Sequence, residues 1–177
     1  MIIFDRELET EELLGPAALI CMAARTAPKG KGIDLLRSAV VTAADKTGIA
    51  DRMRQIALRD GIKFFARDAE NVDQAQVLIL LGTREKPLGL PGCGYCGFAD
   101  CEALQRAGGI CAFNSGDLGI ALGSAVSRAA DLRIDNRILF SAGKAAVELG
   151  ILGPEVRVAF GLPLSVSGKS PFFDRKS

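Results

Sequence analysis

Apolar side chains at residues 13, 14, 17, 20, 21 and 24 recur with a helical period, which predicts a helix over Thr10 to Arg25. Gly15-Pro16 is awkward inside that span, so the helix starts near Pro16 or kinks there. Arg37 to Ala43 (RSAVVTA) reads as a strand. Asp45 to Arg59 reads as a helix on Ile49, Met53, Ile56 and Ala57, stopped by Gly61. The uninterrupted apolar run Gln76 to Leu81 (QVLILL) predicts a strand buried on both faces. A short helix follows near Glu102 to Arg106. A long one runs from a cap at Asn114 or Ser115 to about Ala130, with Leu118, Ala121, Leu122, Ala125 and Val126 facing inward. Ala142 to Leu149 forms a last helix ended by Gly150, and Val156 to Phe160 (VRVAF) a last strand ended by Gly161-Leu162-Pro163.

Strands and helices alternate, so the expected class is α+β in layers, with all 177 residues in one domain. Gly119 and Gly123 lower helix stability unless another backbone approaches closely. They point either to a homodimer or to a helix contact within one subunit.

Composition narrows the chemistry. The balance of 22 basic and 21 acidic residues gives no sign of a nucleic-acid or acidic-membrane partner. The longest apolar run, Ala17 to Ala24, is too short to span a bilayer. The start, Met1 to Arg6, lacks the layout of a secretion signal, so the expected setting is the cytoplasm with reduced thiols. The chain contains no histidine. That removes Ser-His-Asp and Cys-His arrangements, H-E-x-x-H zinc sites and Rieske centres, and makes hydrolase chemistry a poor expectation.

The most informative segment is Leu90 to Cys111, which carries four of the five cysteines in the spacing C-x2-C-x4-C-x9-C, at Cys93, Cys96, Cys101 and Cys111. Gly92, Gly94 and Gly97 let the backbone turn tightly between thiols. Cysteine-only ligation suits a [4Fe–4S] cluster or a structural zinc ion. Zinc sites more often separate two C-x2-C pairs by a longer spacer, and disulfides belong mainly to small secreted domains. The cluster is the leading reading, and the other two stay open. Cys21 lies on the apolar stripe of the first helix, where it reads as a small buried hydrophobe.

Two apparent nucleotide motifs fail on inspection. Gly92-x-Gly94-x-x-Gly97 has cysteines at variable positions and no acidic residue at the ribose-binding point. Gly168-Lys169-Ser170 lacks the upstream glycine of a P-loop, since Pro163 stands there. The loop Pro28-Lys29-Gly30-Lys31-Gly32 reads either as a phosphate-binding loop or as a solvated basic turn. The C-terminal stretch from Lys169 to Lys176 poses the same choice.

Leu90-Pro91, Cys93-Gly94, Cys96-Gly97 and Cys101 resemble the small iron–sulfur module of membrane electron-transport complexes and related reductases. The resemblance implies a [4Fe–4S] cluster. In that module the fourth cysteine lies further downstream than Cys111, which leaves Cys21 as the alternative fourth ligand. The chain as a whole resembles the bacterial and archaeal ferredoxin domain-containing proteins, with the cysteine loop 90–111 inserted in the domain.

A second resemblance, to the flavin-dependent nitroreductase fold, rests on Ala24-Arg25-Thr26-Ala27-Pro28, Ser38 to Thr42, Asp117 to Ala121, Glu148 to Leu152 and Val158 to Pro163. It implies a central mixed sheet flanked by helices, a homodimer, and flavin mononucleotide (FMN) as a second cofactor. Lys29, Lys31, Lys169 and Arg175 are then the candidates for its phosphate. That family's early arginine contact is not evident here, where only Arg6 stands near the start. The function expected is an iron–sulfur oxidoreductase or electron-transfer component with an unspecified redox partner. The alternatives are a metal-binding carrier or sensor, and a zinc-stabilised structural domain.

Overall fold

Strand β2 (Val77–Arg84) is buried at every residue except Arg84, which places it at the centre of the molecule. Alternation along it divides the core in two. Val77, Ile79 and Leu81 enter one cluster, and Leu78 and Leu80 the other. β1 (Leu36–Val41) pairs along one edge of β2 and β4 (Val156–Ser165) along the other. A two-residue β3 (Asp135–Asn136) adds to β4, giving the order β1-β2-β4-β3. The molecule is a computed structural model that describes residues 2, 4, 5, 9 and 12–173.

Helices cover both faces. α1 (Leu14–Thr26) and α5 (Ala112–Asp131) pack Ile20, Ala24, Leu118, Ala121 and Leu122 on one side of the sheet. On the other side lie α2 (Ala43–Asp60), α3 (Lys63–Gln74) and α6 (Phe140–Glu148), which contribute Ile49, Met53, Phe65, Val72, Ala142 and Ala145. The layered α+β class is therefore the one expected. A short α4 (Cys101–Arg106) stands outside these layers, in the cysteine segment. Among the described residues no helix is long and apolar enough to cross a membrane.

Several sequence expectations need correction. The sheet is antiparallel throughout its described pairs rather than mixed. The α2–α3 hairpin explains the first pair, because two helices return the chain to the strand end it left, whereas one crossover helix would deliver a parallel strand. β4 continues through Pro163 to Ser165. Gly161 exchanges both backbone hydrogen bonds with Leu139, at 2.8 and 2.9 Å, so its polar groups face away from β2. Two residues later the ring nitrogen of Pro163 faces the same thinly paired edge, where no ladder donor is lost.

α3 has no counterpart in the sequence reading. Its buried stripe of Phe65, Asp68, Ala69 and Val72 has the helical period, and it buries Asp68 and the neighbouring Asn71 as well. Asp68 is satisfied by Ser141, whose Oγ donates to it at 2.7 Å.

α1 starts at Leu14, with Pro16 tolerated in its first turn; Thr10, where the expected helix begins, lies outside the described residues. β1 ends at Val41 rather than Ala43, because α2 begins there. Gly61 stops α2 as expected, with φ 68°. Among the described residues no atom outside α5 lies within 4 Å of where a Cβ would stand at Gly119 or Gly123, so no described helix of the same subunit packs there.

Candidate metal centre

The cysteine segment leaves β2 and turns repeatedly before α4. Gly92, Gly94 and Gly97 adopt φ of 70°, 61° and 82°, left-handed values that a side chain disfavours, which is why this loop can fold so tightly. Gly97 N–H donates to Gly94 O at 2.9 Å and closes the turn around Cys96. Asp100 then caps α4, its Oδ1 accepting from Ala103 N at 2.7 Å, and this cap fixes Cys101 as the first helical residue. The turn Ala107-Gly108-Gly109 reverses the chain. A Cβ at Gly109 would come within 2.5 Å of Leu104.

Cys111 is the N-cap residue of α5, in place of the expected Asn114 or Ser115. Its carbonyl accepts from Asn114 N at 3.0 Å and from Ser115 N at 3.3 Å, which starts the helix directly after it.

These turns bring Cys93, Cys96, Cys101 and Cys111 to the wall of one cavity of about 120 Å³. That is several times the space one water requires. Leu90, Pro91, Phe98 and Leu104 supply its apolar lining. All four thiols are free; Cys111 is buried and the other three half-buried. Cys21 is not part of this wall. It packs beside the α1–α5 core, and burial pushes its thiol pKa up against an opposing pull from Arg25. Among the described residues, no three His, Cys, Asp or Glu side chains converge closely enough to hold a single metal ion.

Residues distant in sequence hold the segment in place. Lys31 Nζ donates to Leu88 O at 3.1 Å, and Asn114 Oδ1 accepts from Lys86 N at 3.2 Å. Arg157 Nη1 donates to Gly108 O at 3.0 Å and to Glu85 Oε2 at 2.7 Å. Tyr95, between the first two cysteines, stacks on Phe113 of α5. No sequence signal marks Arg157 as part of this site, because it joins through tertiary contact alone; Phe113 and Asn114 closely follow Cys111, but their partners Tyr95 and Lys86 show only in the fold.

The basic loop lies beside the cysteine segment. Lys29 Nζ donates to Arg25 O and Ala27 O at 2.6 and 2.7 Å, closing the C-terminal end of α1. Gly30 N–H donates to both carboxylate oxygens of Asp117, each at 3.1 Å. Both lysine ammoniums thus have backbone partners, and a carboxylate already takes the Gly30 amide. Lys169 follows Gly168 on the rim of a separate cleft of about 780 Å³, lined by Gln76, Arg133, Ser165 and Ser167 among others. Arg175 and Arg6 lie outside the described residues.

Comparison with known proteins gives two results. A family model described as "Uncharacterized protein containing a ferredoxin domain (DUF2148)" matches residues 107–175, which include Cys111 but not the other three clustered cysteines. A protein of Archaeoglobus fulgidus is 39% identical over 184 residues, covering 99% of this chain and 98% of its own length. Among solved structures, a nitroreductase family protein from Clostridium novyi NT superposes with a TM-score of 0.58 at 18% identity, over 94% of this chain and 77% of its own. The FMN-dependent nitroreductase NfnB from Mycobacterium smegmatis, solved in complex with NADPH, gives 0.60 at 11% identity, over 88% and 78%. At these identities the likeness establishes the fold.

Proposed function

The chain belongs to the family of proteins containing a ferredoxin domain, and from that premise we propose that it is an iron–sulfur redox protein whose [4Fe–4S] cluster is held by Cys93, Cys96, Cys101 and Cys111. The observation that carries this reading is the single cavity lined by all four cysteines. Four cysteines on one wall suit a four-thiolate centre, and three of them crowded on one loop favour a cluster over a zinc ion, whose ligands more often come as two separated pairs. Once bound, such a cluster supplies one-electron transfer.

The protein's own residues do the rest. The left-handed glycines present Cys93 and Cys96 on one tight loop, and the Asp100 cap presents Cys101. The start of α5 fixes Cys111 at the N-cap of that helix. Leu90, Pro91, Phe98 and Leu104 limit water around the thiols.

Anaerobic purification, iron and sulfide analysis and visible absorption test the assignment. Single changes of Cys93, Cys96, Cys101 or Cys111 to Ser should abolish the cluster, and Cys21→Ser should not. Equal iron and sulfide in Cys96→Ser and wild type would overturn it. A colourless, zinc-loaded protein would favour the structural-domain reading.

A second reading adds FMN, which would exchange electron pairs with a small substrate and make the protein an enzyme. Its support is the likeness of fold to an FMN-dependent nitroreductase and the cleft of about 780 Å³. Lys29 and Lys31 do not fit its phosphate as they stand, since both are engaged and Asp117 would repel a dianion. Fluorescence titration with FMN tests this reading. No saturation at about 100 μM leaves an affinity weaker than roughly 5.5 kcal/mol, too weak for a retained cofactor.

A further inference from the structure

The cysteine segment is gripped near its two ends by side chains that come from outside it. Before the first cysteine, Lys31 Nζ donates to Leu88 O at 3.1 Å. Before the last, Arg157 Nη1 donates to Gly108 O at 3.0 Å. Both acceptors are main-chain carbonyls, so what is fixed is the path of the backbone. Each cation is itself held in place. Arg157 projects from β4 and pairs with Glu85 just past the end of β2, so its anchor is the sheet. Lys31 sits at φ 55°, a left-handed conformation unfavourable for lysine, between Gly30 and Gly32. Its neighbour Gly30 is tied by its N–H to Asp117 of α5, and a Cβ there would come within 2.5 Å of Leu88 Cδ1. The basic loop therefore lies directly against the start of the cysteine segment.

We propose that Lys31 and Arg157 are positioning residues for the metal centre, clamping the carbonyls of Leu88 and Gly108 so that the four thiols keep the spacing a cluster requires. This rests on the cluster reading above, and it gives the basic loop a bracing role in place of phosphate binding. Removing one clamp leaves every thiol present and frees one end of the segment. The cluster should still assemble but should be lost more readily.

The test uses the full chain loaded anaerobically with ferrous iron and sulfide, then challenged with excess chelator. Lys31→Met and Arg157→Met keep the apolar stem and remove the donor. Each should lose the visible cluster absorption about five-fold faster than wild type, the factor that one hydrogen bond of ordinary net worth gives. The double variant should be roughly 25-fold faster, because the clamps act at separate ends. Lys31→Arg and Arg157→Lys should recover most of the wild-type rate, and melting temperatures measured alongside expose any general loss of stability. Wild-type release rates in both Met variants would overturn the proposal. So would faster release that follows the melting temperature and is not recovered by the conservative changes.

A metal-free arm separates this proposal from the cluster reading. In the apo protein the clamps should shield buried Cys111, so its maleimide modification, followed by mass spectrometry, should also quicken about five-fold in the Met variants. If wild type never binds iron yet Cys111 reactivity rises, the cluster reading fails and the clamps stand. Unchanged Cys111 reactivity in both variants would overturn the clamps whatever metal is bound.

Discussion

The ring of Tyr95 lies parallel to that of Phe113, with centroids 5.8 Å apart and planes inclined by 7°. Tyr95 separates Cys93 from Cys96, and Phe113 stands two residues after Cys111. The stack therefore ties the two-cysteine turn to the helix that bears the last thiol. Tyr95 is otherwise 77% exposed, so little else holds its ring. A double-mutant cycle with Tyr95→Leu and Phe113→Leu, read by urea unfolding, should give a coupling energy of about 0.5–1.5 kcal/mol. A coupling of zero would mean that the rings touch without constraining the turn.

Asn114 is 1% exposed, and its Oδ1 accepts from Lys86 N, while its Nδ2 is buried without a partner among the described residues. Asn114→Ala removes the hydrogen bond that Lys86 N makes and should cost about 1–3 kcal/mol. Asn114→Asp keeps an acceptor but introduces a buried charge, so it should cost more at neutral pH than at acidic pH, where the new carboxyl protonates. Unfolding midpoints of the two variants check both statements.

The elements whose signal is local were legible in the sequence. The apolar run of β2, the stop at Gly61 and the crowded cysteines each follow from residues adjacent in the chain. What the sequence hid depends on packing. α3 buries Asp68 and Asn71 beside its apolar residues, and that a carboxylate can be buried there shows only once Ser141, far away in sequence, is seen to satisfy Asp68. Pro163 looked like a strand terminator because the side its nitrogen faces depends on Leu139, 24 positions away by number and known only from the pairing. Lys31 looked like a phosphate ligand because nothing local reveals that Leu88 O lies within its reach.

Gly143 shows where close backbone approach does occur. A Cβ there would overlap the carbonyl of Ala159 on β4, a backbone group that cannot swing aside. Gly143→Ala should therefore destabilise the protein by about 3 kcal/mol or more, despite the better helix propensity of alanine. Thermal unfolding checks this, and a melting temperature equal to wild type would contradict the α6–β4 packing.

Glu148 accepts from Arg59 and Arg52, with Lys144 3.6 Å away. The Arg59 hydrogen bond foremost, with help from Arg52, holds its carboxyl below the ordinary value of 4.5. A carboxyl depressed in the folded state stabilises the fold above its unfolded pKa, and this contribution is lost as pH falls through the folded value. Wild type should therefore lose stability progressively below about pH 4.5, and Glu148→Gln should show a shallower acid decline. Urea midpoints measured across that range decide it, and parallel pH profiles for the two proteins would count against the assignment.

Gly116, Gly119, Ile120 and Gly123 share an exposed face of α5, and a Cβ at any of the three glycines would meet open space among the described residues. In a lone subunit this arrangement has a clear consequence. Alanine at Gly119 or Gly123 should stabilise the helix by about 1 kcal/mol, because glycine gains nothing from its flexibility there. We propose instead that a second copy of the chain packs on this face, where missing side chains let two helices approach closely. Light scattering should then give a dimer for wild type, and Gly119→Leu or Gly123→Leu should shift it to monomer with the helical content intact. The alanine variants supply the opposite control, since at a tight interface they should weaken the dimer and not raise the melting temperature. A monomeric wild type at micromolar concentration, together with alanine variants that melt higher, would sink the dimer.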